Sequence, residues 1–324
     1  MLTFGPVPSR RLGRSLGINN IPPKVCTYSC VYCQLGRTKK IRVESENFYD
    51  PEEIKRNVGE KINLADEAEE SIDYLTFVPD GEPSLDIHIG QEIELLKSYG
   101  LKIGVITNSS LIWRDRVKKD LQKADWVSLK IDSVEEKIWR KINRPHRSLE
   151  LRKILDGIIE FSSQFKGKLV TESMLVRDLN DGEDQIINLA DFIKQLSSDT
   201  SYLSIPIRPP AEKWVRPPTE EVLIRAYQIL SSEIKNVEYL IGYEGNAFAF
   251  TGNVQKDLLS ITAVHPMRED AVTEFLSKAE AEWPVVDQLI DKGVLVEREF
   301  QGHKFYARRL FAPRNNEMLG FRME

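Results

Sequence analysis

Three cysteines, Cys26, Cys30 and Cys33, are the only thiols in the chain, and all lie within one eight-residue window. So few thiols, so close together, make no disulfide framework and point instead to a metal. Their spacing, Cys-x3-Cys-x2-Cys, leaves two readings. A tetrahedral zinc site wants a fourth ligand, usually from a second Cys-x2-Cys knuckle or a spaced His pair. The four histidines, His88, His146, His265 and His303, are scattered, and none is paired with the cysteine loop. An iron–sulfur cube normally takes four Cys. With three, one iron keeps an open position, which is what a catalytic metal requires. Zinc held by three Cys and one His is the alternative.

The run Cys26-Thr27-Tyr28-Ser29-Cys30-Val31-Tyr32-Cys33 resembles the signature of radical S-adenosylmethionine (SAM) enzymes, down to the aromatic residue before the third Cys. Asp80-Gly81-Glu82-Pro83 is similar to that family's Gly-Gly-Glu-Pro turn, with Asp in place of the first Gly. Thr107-Asn108 and Trp126-Val127-Ser128-Leu129-Lys130 resemble strand ends that line the SAM pocket in glycyl-radical activating enzymes and wyosine-forming tRNA enzymes. Ile142-Asn143-Arg144-Pro145 also resembles these relatives, and the likeness covers roughly residues 4–250.

The resemblance implies a 4Fe–4S cluster on the three thiolates, with the free iron chelating SAM through its amino and carboxylate groups. One electron, from a donor such as ferredoxin or flavodoxin, breaks the sulfonium C–S bond, and a 5′-deoxyadenosyl radical takes hydrogen from the substrate. It further implies that Gly81 and Glu82 offer backbone groups to the methionine amine and that Ser128 meets the ribose. Lys130 is expected at the methionine carboxylate, Asn108 in the same pocket, and the backbone near Tyr32 at the adenine. Each of these residues has a plainer role open to it. Glu82 can cap the next helix as a first-turn acid, Lys130 can form an ion pair near Asp132, and Asn108 can be a turn residue. Alternation along a strand puts Ser128 and Lys130 on one face.

With no further thiols, branches that need a second Cys-ligated cluster or a catalytic cysteine pair are excluded. What is left is hydrogen abstraction: radical installation, rearrangement, epimerisation or a C–C bond step. Downstream, the Pro-flanked loop from Arg208 to Pro218 is placed over the barrel mouth. There Arg208 and Arg216 are candidates to grip an anionic substrate, and Trp214 to stack or plug.

The elements that must position these groups follow from periodicity. Short β-branched runs at 15–19, 74–78, 102–107, 126–131, 169–176 and 202–207 alternate with helical stretches at 51–67, 87–99, 111–123, 148–165, 182–196 and 219–234. Strands alternating with helices argue for an α/β fold with a parallel sheet. Six strands are too few for a closed eightfold barrel, so a partial (β/α)6, TIM-like barrel is expected, with catalytic groups at the strands' C-terminal ends. Residues 239–242 and 247–251 read as an antiparallel addition closing it. The 324 residues thus divide into a barrel, 1–252, and a second unit, 253–324, whose three helices and hairpin form a winged helix-turn-helix pattern.

Charge is unevenly spread. The chain has 45 Lys+Arg against 50 Asp+Glu, a net −5, yet residues 1–42 contain no acid at all. This segment reads either as a solvated arm or as a site for an anionic partner. Together with the winged helix it would anchor RNA or a peptide or protein substrate, for which a small metabolite has no need. No apolar run approaches the ~18–20 residues of a membrane span, so a cytoplasmic protein is expected. Should the metal be zinc, the alternative is a nucleic-acid-binding regulator that uses the winged helix.

Overall fold

The computed structural model describes residues 2–38, 40–242, 246 and 248–309, and the statements below concern those residues. The chain opens with β1 (Thr3–Ser9) and β2 (Gly13–Ile18), then alternates α1 (Pro51–Glu67), β3 (Tyr74–Phe77), α2 (Ile89–Leu96), β4 (Lys102–Thr107), α3 (Asp115–Leu121) and β5 (Trp126–Lys130). Two helices follow, α4 (Glu136–Ile142) and α5 (Leu151–Gln164), then β6 (Lys168–Met174), α6 (Glu183–Ile193), β7 (Thr200–Ser204), α7 (Glu220–Glu233) and β8 (Val237–Leu240). The last elements are α8 (Val254–Val264), β9 (Met267–Arg268), α9 (Glu269–Lys278), α10 (Pro284–Asp291), β10 (Leu295–Phe300) and β11 (His303–Arg308).

Strands β1 to β8 form one curled sheet in chain order. All pairings from β2 to β8 are parallel, and β1 alone is antiparallel, against β2. The barrel is therefore larger than six strands. The addition expected at 239–242 is instead the parallel strand β8, because a strand, a crossover helix and a returning strand pack as a parallel unit. Residues 248–251 form no strand, and the segment expected as an N-terminal arm supplies β1. Its two prolines are tolerated because β1 is an edge strand, where a missing N–H breaks no ladder.

Alternation divides the strand residues between two environments. Leu75, Phe77, Ile103, Val105, Val127, Leu129, Leu169 and Leu203 face the helices and are fully or almost fully buried in the main core. Their neighbours point inward, where Leu12, Trp126, Val170, Tyr202 and Leu240 form a separate apolar plug. The site must therefore lie above this plug, toward the strands' C-terminal ends.

A further core joins the C-terminal elements to the sheet. Phe4 and Val7 of β1 pack with Phe248, Leu258, Ile261, Met267 and Phe275. Gly17 makes room for this arrangement, since a Cβ there would lie 1.9 Å from the Phe4 ring. Lys61 on α1 and Asp257 on α8 form a buried ion pair at 3.3 Å, and Thr251 shares both partners. The three helices and the hairpin of the second unit are present, with β9 added to give a three-stranded sheet of order β10-β11-β9. Leu310, expected to end the hairpin, lies outside the described residues. No helix among the described residues is long and apolar enough to cross a membrane.

One buried pair makes stability depend on pH. Asp86 and Glu92 are both fully buried. Burial lifts Asp86 to about 6; burial and then the Asp86 charge lift Glu92 to about 9. Both values exceed those of the unfolded chain, so the folded state holds protons that the unfolded state has released. That stability is fully present below pH ~4 and is lost as pH rises through about 6 and then 9. Glu92→Gln is expected to remove the upper part of this loss. Urea unfolding at pH 6 and pH 9 checks it: the wild type should weaken more than the variant, and equal weakening would refute the assignment.

Candidate functional site

A cavity of about 330 Å³ lies at the C-terminal ends of the parallel strands, the expected place for chemistry on such a sheet. All three cysteines line it, together with Gly81, Asn108 and Lys130. The cysteines sit on the loop after β2, which is pinned from two sides. Ser29 and Val31 donate backbone N–H groups to the carbonyls of Asn143 and Ile142 at 3.0 and 2.9 Å, and Arg42 N–H donates to the Cys26 carbonyl at 3.0 Å. Glu212, almost fully buried, accepts a bidentate bond from Arg37 at 2.7 and 2.6 Å and a further bond from Arg144. One carboxylate thus ties together the cysteine loop, the 142–145 turn and the loop after β7.

Each cysteine is half-buried and lines the cavity. Burial first, then the nearby Cys30, push the Cys26 thiol up to about 12; burial first, then Asp132, do the same for Cys30. A metal taken up here must displace those protons, because only thiolates ligate.

Gly81 is required by its surroundings: a Cβ would lie 1.8 Å from the Val25 carbonyl oxygen, on the loop that carries the cysteines. Glu82 turns away from the cavity. Its carboxylate accepts from Ser84 N–H at 3.1 Å, Thr107 Oγ1 at 2.6 Å and Asn108 N–H at 2.7 Å, capping the short turn after it and tying that turn to β4. This is the capping role that its position allowed. Asn108 is more than a turn residue, because its side-chain amide reaches Cys26 Sγ at 3.5 Å and Thr27 Oγ1 at 2.8 Å.

Lys130 lines the cavity with its ammonium 2.9 Å from Glu172 and 5.2 Å above the Tyr32 ring. Asp132 lies 4.0 Å away. Arg11 binds the other oxygen of Glu172. Burial alone would raise the Glu172 pKa, but these two cations outweigh it and hold the carboxylate well below its usual range. Tyr32 also lines the cavity and donates its hydroxyl to Asp132. Ser128 shares the inward face with Lys130 but lies deeper. Its Oγ is buried without a partner and does not reach the cavity wall.

The loop after β7 divides the three expected substrate contacts. Arg208 lines the cavity and bonds Gln34 at 2.9 Å and the His265 ring at 2.9 Å. Trp214 and Arg216 are not in the wall. Trp214 is 50% exposed, and Arg216 donates to the Val215 carbonyl at 3.0 Å. The reason is local: Glu212 and Val215 point inward and are buried, which turns the residues between and after them outward.

The basic N-terminal segment also differs from a free arm. Arg11 is paired with Glu172, Arg14 with Glu70, Arg37 with Glu212 and Arg42 with Glu46, all acids from outside the acid-free stretch. Sequence reasoning missed Glu172 and Glu212 as supports, because their partners on the N-terminal segment lie far away along the chain. It also missed Arg10 and Arg11 as cavity residues, although the acid-free run was a signal for them.

The family model of the radical SAM superfamily matches residues 20–190, which span the cysteine loop and β3 to β6. The chain belongs to the radical SAM superfamily. It is 48% identical over 311 residues to a UPF0026 protein of Methanocaldococcus jannaschii, covering 95% of this chain and 96% of that protein. It is 30% identical over 112 residues to an S-adenosylmethionine-dependent nucleotide dehydratase of a Thermoplasmatales archaeon, covering 34% of this chain and 36% of that one. Among solved structures, a radical SAM methyltransferase from Sphaerobacter thermophilus shares the fold with a TM-score of 0.53 at 14% identity, over 70% of this chain and 66% of that chain.

Membership makes this an enzyme of the superfamily and brings with it a 4Fe–4S cluster and SAM. The residues fit such a group. Three thiols open onto one cavity, and Asn108 presents an N–H to one of the sulfurs. No group of three or more His, Cys, Asp or Glu among the described residues is arranged to hold a single metal ion. The match does not favour a zinc-stabilised regulator.

Proposed function

We propose that Cys26, Cys30 and Cys33 hold the cluster, that SAM lies between the Gly81 turn and Lys130, and that the enzyme abstracts hydrogen from an anionic substrate. When bound, the cluster supplies one electron to SAM, whose 5′-deoxyadenosyl fragment takes the hydrogen atom; a small one-electron carrier such as ferredoxin or flavodoxin is the donor. The chain's own residues bind, orient and exclude water. Gly81 lets the backbone approach closely, Asn108 and Tyr32 line the wall, and Ser128 waits below with an unpartnered hydroxyl.

The observation that carries the anionic reading is the charge of the wall. Arg10, Arg11, Lys24, Lys130 and Arg208 line the cavity against only two carboxylates, Asp80 and Glu172. A cleft lined mainly by one sign of charge concentrates ligands of the other sign. The likeness to a nucleotide dehydratase supports a phosphate-bearing substrate of that kind. RNA or a protein is less suited, because Arg11, Arg14 and Arg37 of the first 42 residues are each already paired with a largely buried acid.

We read residues 253–324 as a winged-helix-like unit, supported by the order of three helices and a three-stranded sheet, on a barrel of residues 1–252. In this reading it supports the site through His265, which bonds Arg208 of the cavity wall, and Arg216 and Trp214 take no part in binding.

Anaerobic reconstitution should give ~4 iron per chain and 5′-deoxyadenosine after reduction. Nucleoside triphosphates, used as the anionic probe, should raise that rate above its uncoupled level; no stimulation by phosphate-bearing compounds would refute the substrate class. Lys130→Met should weaken SAM binding by about 1.5–3 kcal/mol, read by equilibrium dialysis. Unchanged affinity would leave Lys130 as the counter-ion of Glu172 alone.

A further inference from the structure

Each of the three cysteine sulfurs receives one side-chain N–H, and each donor comes from a different part of the chain. Asn108 Nδ2, just past the end of β4, lies 3.5 Å from Cys26 Sγ. Asn143 Nδ2, at the end of α4, lies 3.4 Å from Cys30 Sγ. Lys24 Nζ, on the segment leading into the cysteine loop, lies 3.5 Å from Cys33 Sγ.

None of the donors is loosely held. Asn108 also donates to Thr27 Oγ1 at 2.8 Å and accepts Ser110 N–H at 3.0 Å. Asn143 donates to Asp132 at 2.7 Å. Lys24 donates to the Gly36 carbonyl at 2.6 Å, and its backbone adopts φ 64°, a left-handed conformation that a non-glycine residue keeps only when its surroundings enforce it. Both asparagines are therefore oriented by a second partner, and the lysine by its own backbone.

Hydrogen bonds to cluster sulfurs, and positive charge beside them, favour the state that carries more negative charge. Reduction adds one electron and needs no proton, so any donor to a sulfur stabilises the product of that step. A neutral amide offers a dipole, whereas an ammonium offers a full charge, and Lys24 is only 8% exposed, where water and salt screen it little.

We infer that Lys24, Asn108 and Asn143 form a set of N–H···S donors, one on each ligating sulfur, that sets the potential at which the cluster accepts its electron, with Lys24 the strongest. The inference rests on Cys26, Cys30 and Cys33 being the cluster ligands. It gives Lys24 a role at the cluster in addition to its place in the charged cavity wall.

The test uses the full chain, reconstituted anaerobically, without SAM, and titrated with titanium(III) citrate as the one-electron reductant while the reduced cluster is followed by EPR. Lys24→Gln keeps a group able to bond the Gly36 carbonyl but removes the charge. At fixed potential its reduced-to-oxidised ratio should fall at least tenfold, equivalent to 59 mV for a one-electron couple. Lys24→Arg should return the ratio to within about threefold of wild type by restoring the charge. Asn143→Ala and Asn108→Ala should each lower the ratio by a smaller factor in the same direction. Wild-type ratios in Lys24→Gln at full iron content would overturn the inference, as would a variant that changes only SAM affinity. If Lys24→Gln does not retain iron, the asparagine variants decide: wild-type ratios in both would overturn the set. Iron content in the cysteine variants separately tests the ligand assignment, so failure of one reading is not mistaken for failure of the other.

Discussion

Alanine at Cys26, Cys30 or Cys33 is expected to abolish iron retention and SAM cleavage together, an effect of orders of magnitude on turnover. The three sulfurs enter one cavity from a single loop, and no other thiol exists in the chain to replace a lost ligand. A cube already one thiolate short of the usual four cannot lose another and stay bound. The protons on Cys26 and Cys30, held by burial up to about 12, add to the requirement, because iron must displace them to enter. The loop itself should survive each substitution, since its anchors are backbone bonds to Asn143 and Ile142 and the Arg37–Glu212–Arg144 clamp, none of which involves sulfur. Unchanged circular dichroism with iron below one per chain is therefore the expected pair of results. A full cluster in any single variant would show that the ligand set lies elsewhere.

How much of this was legible in the sequence depends on whether a signal is local. The cysteine spacing, the Asp80-Gly81-Glu82-Pro83 turn and the β4 and β5 ends are contiguous strings, and the structure brings Cys26, Cys30, Cys33, Gly81, Asn108 and Lys130 to one cavity. The six strands read from periodicity match β2 to β7 because parallel strands buried on both faces stand out as short apolar runs. β1 was hidden by Pro6 and Pro8, which argue against a strand unless it is known to be an edge. β8 was recognised as extended but given the wrong direction, which depends on the crossover through α7 and not on its own four residues.

The support network was the least legible part. Glu172 lies 161 residues from Arg11, and Glu212 lies 175 from Arg37, so nothing in their neighbourhoods marks them as paired. The acid-free stretch looked like an anion-binding arm because its counter-charges are supplied by β6, by the loop after β7 and by Glu70. Trp214 and Arg216, which do not line the cavity, show the converse case. A Pro-flanked loop at a strand end was rightly placed, but which of its residues point inward was fixed by Val215 and Glu212, whose partners are on the cysteine loop.

Removing residues 253–324 is expected to cost the enzyme its fold as well as its substrate. In a chain built of two independent units, the barrel would keep its stability and its SAM cleavage. Here the core under α8 contains Phe4 and Val7 from the first strand of the sheet, and Phe248 from the connection. These three are at most 9% exposed. Uncovering each costs about 1.5–3 kcal/mol, so together they approach the ~5–15 kcal/mol that holds a typical domain together. Arg208, in the cavity wall, would lose its partner His265. The truncated chain should be poorly soluble and should make little deoxyadenosine. A gentler variant separates packing from delivery: Asp257→Ala in the full chain leaves Lys61 buried without its counter-charge. Breaking a buried pair in this way costs about 3–5 kcal/mol, and a urea midpoint lowered accordingly, with ~4 iron per chain still bound at rest, is the expected outcome. A soluble truncated enzyme that cleaves SAM at the full rate would show instead that β1 is stable without its cover, and that the C-terminal unit only carries substrate to a finished barrel.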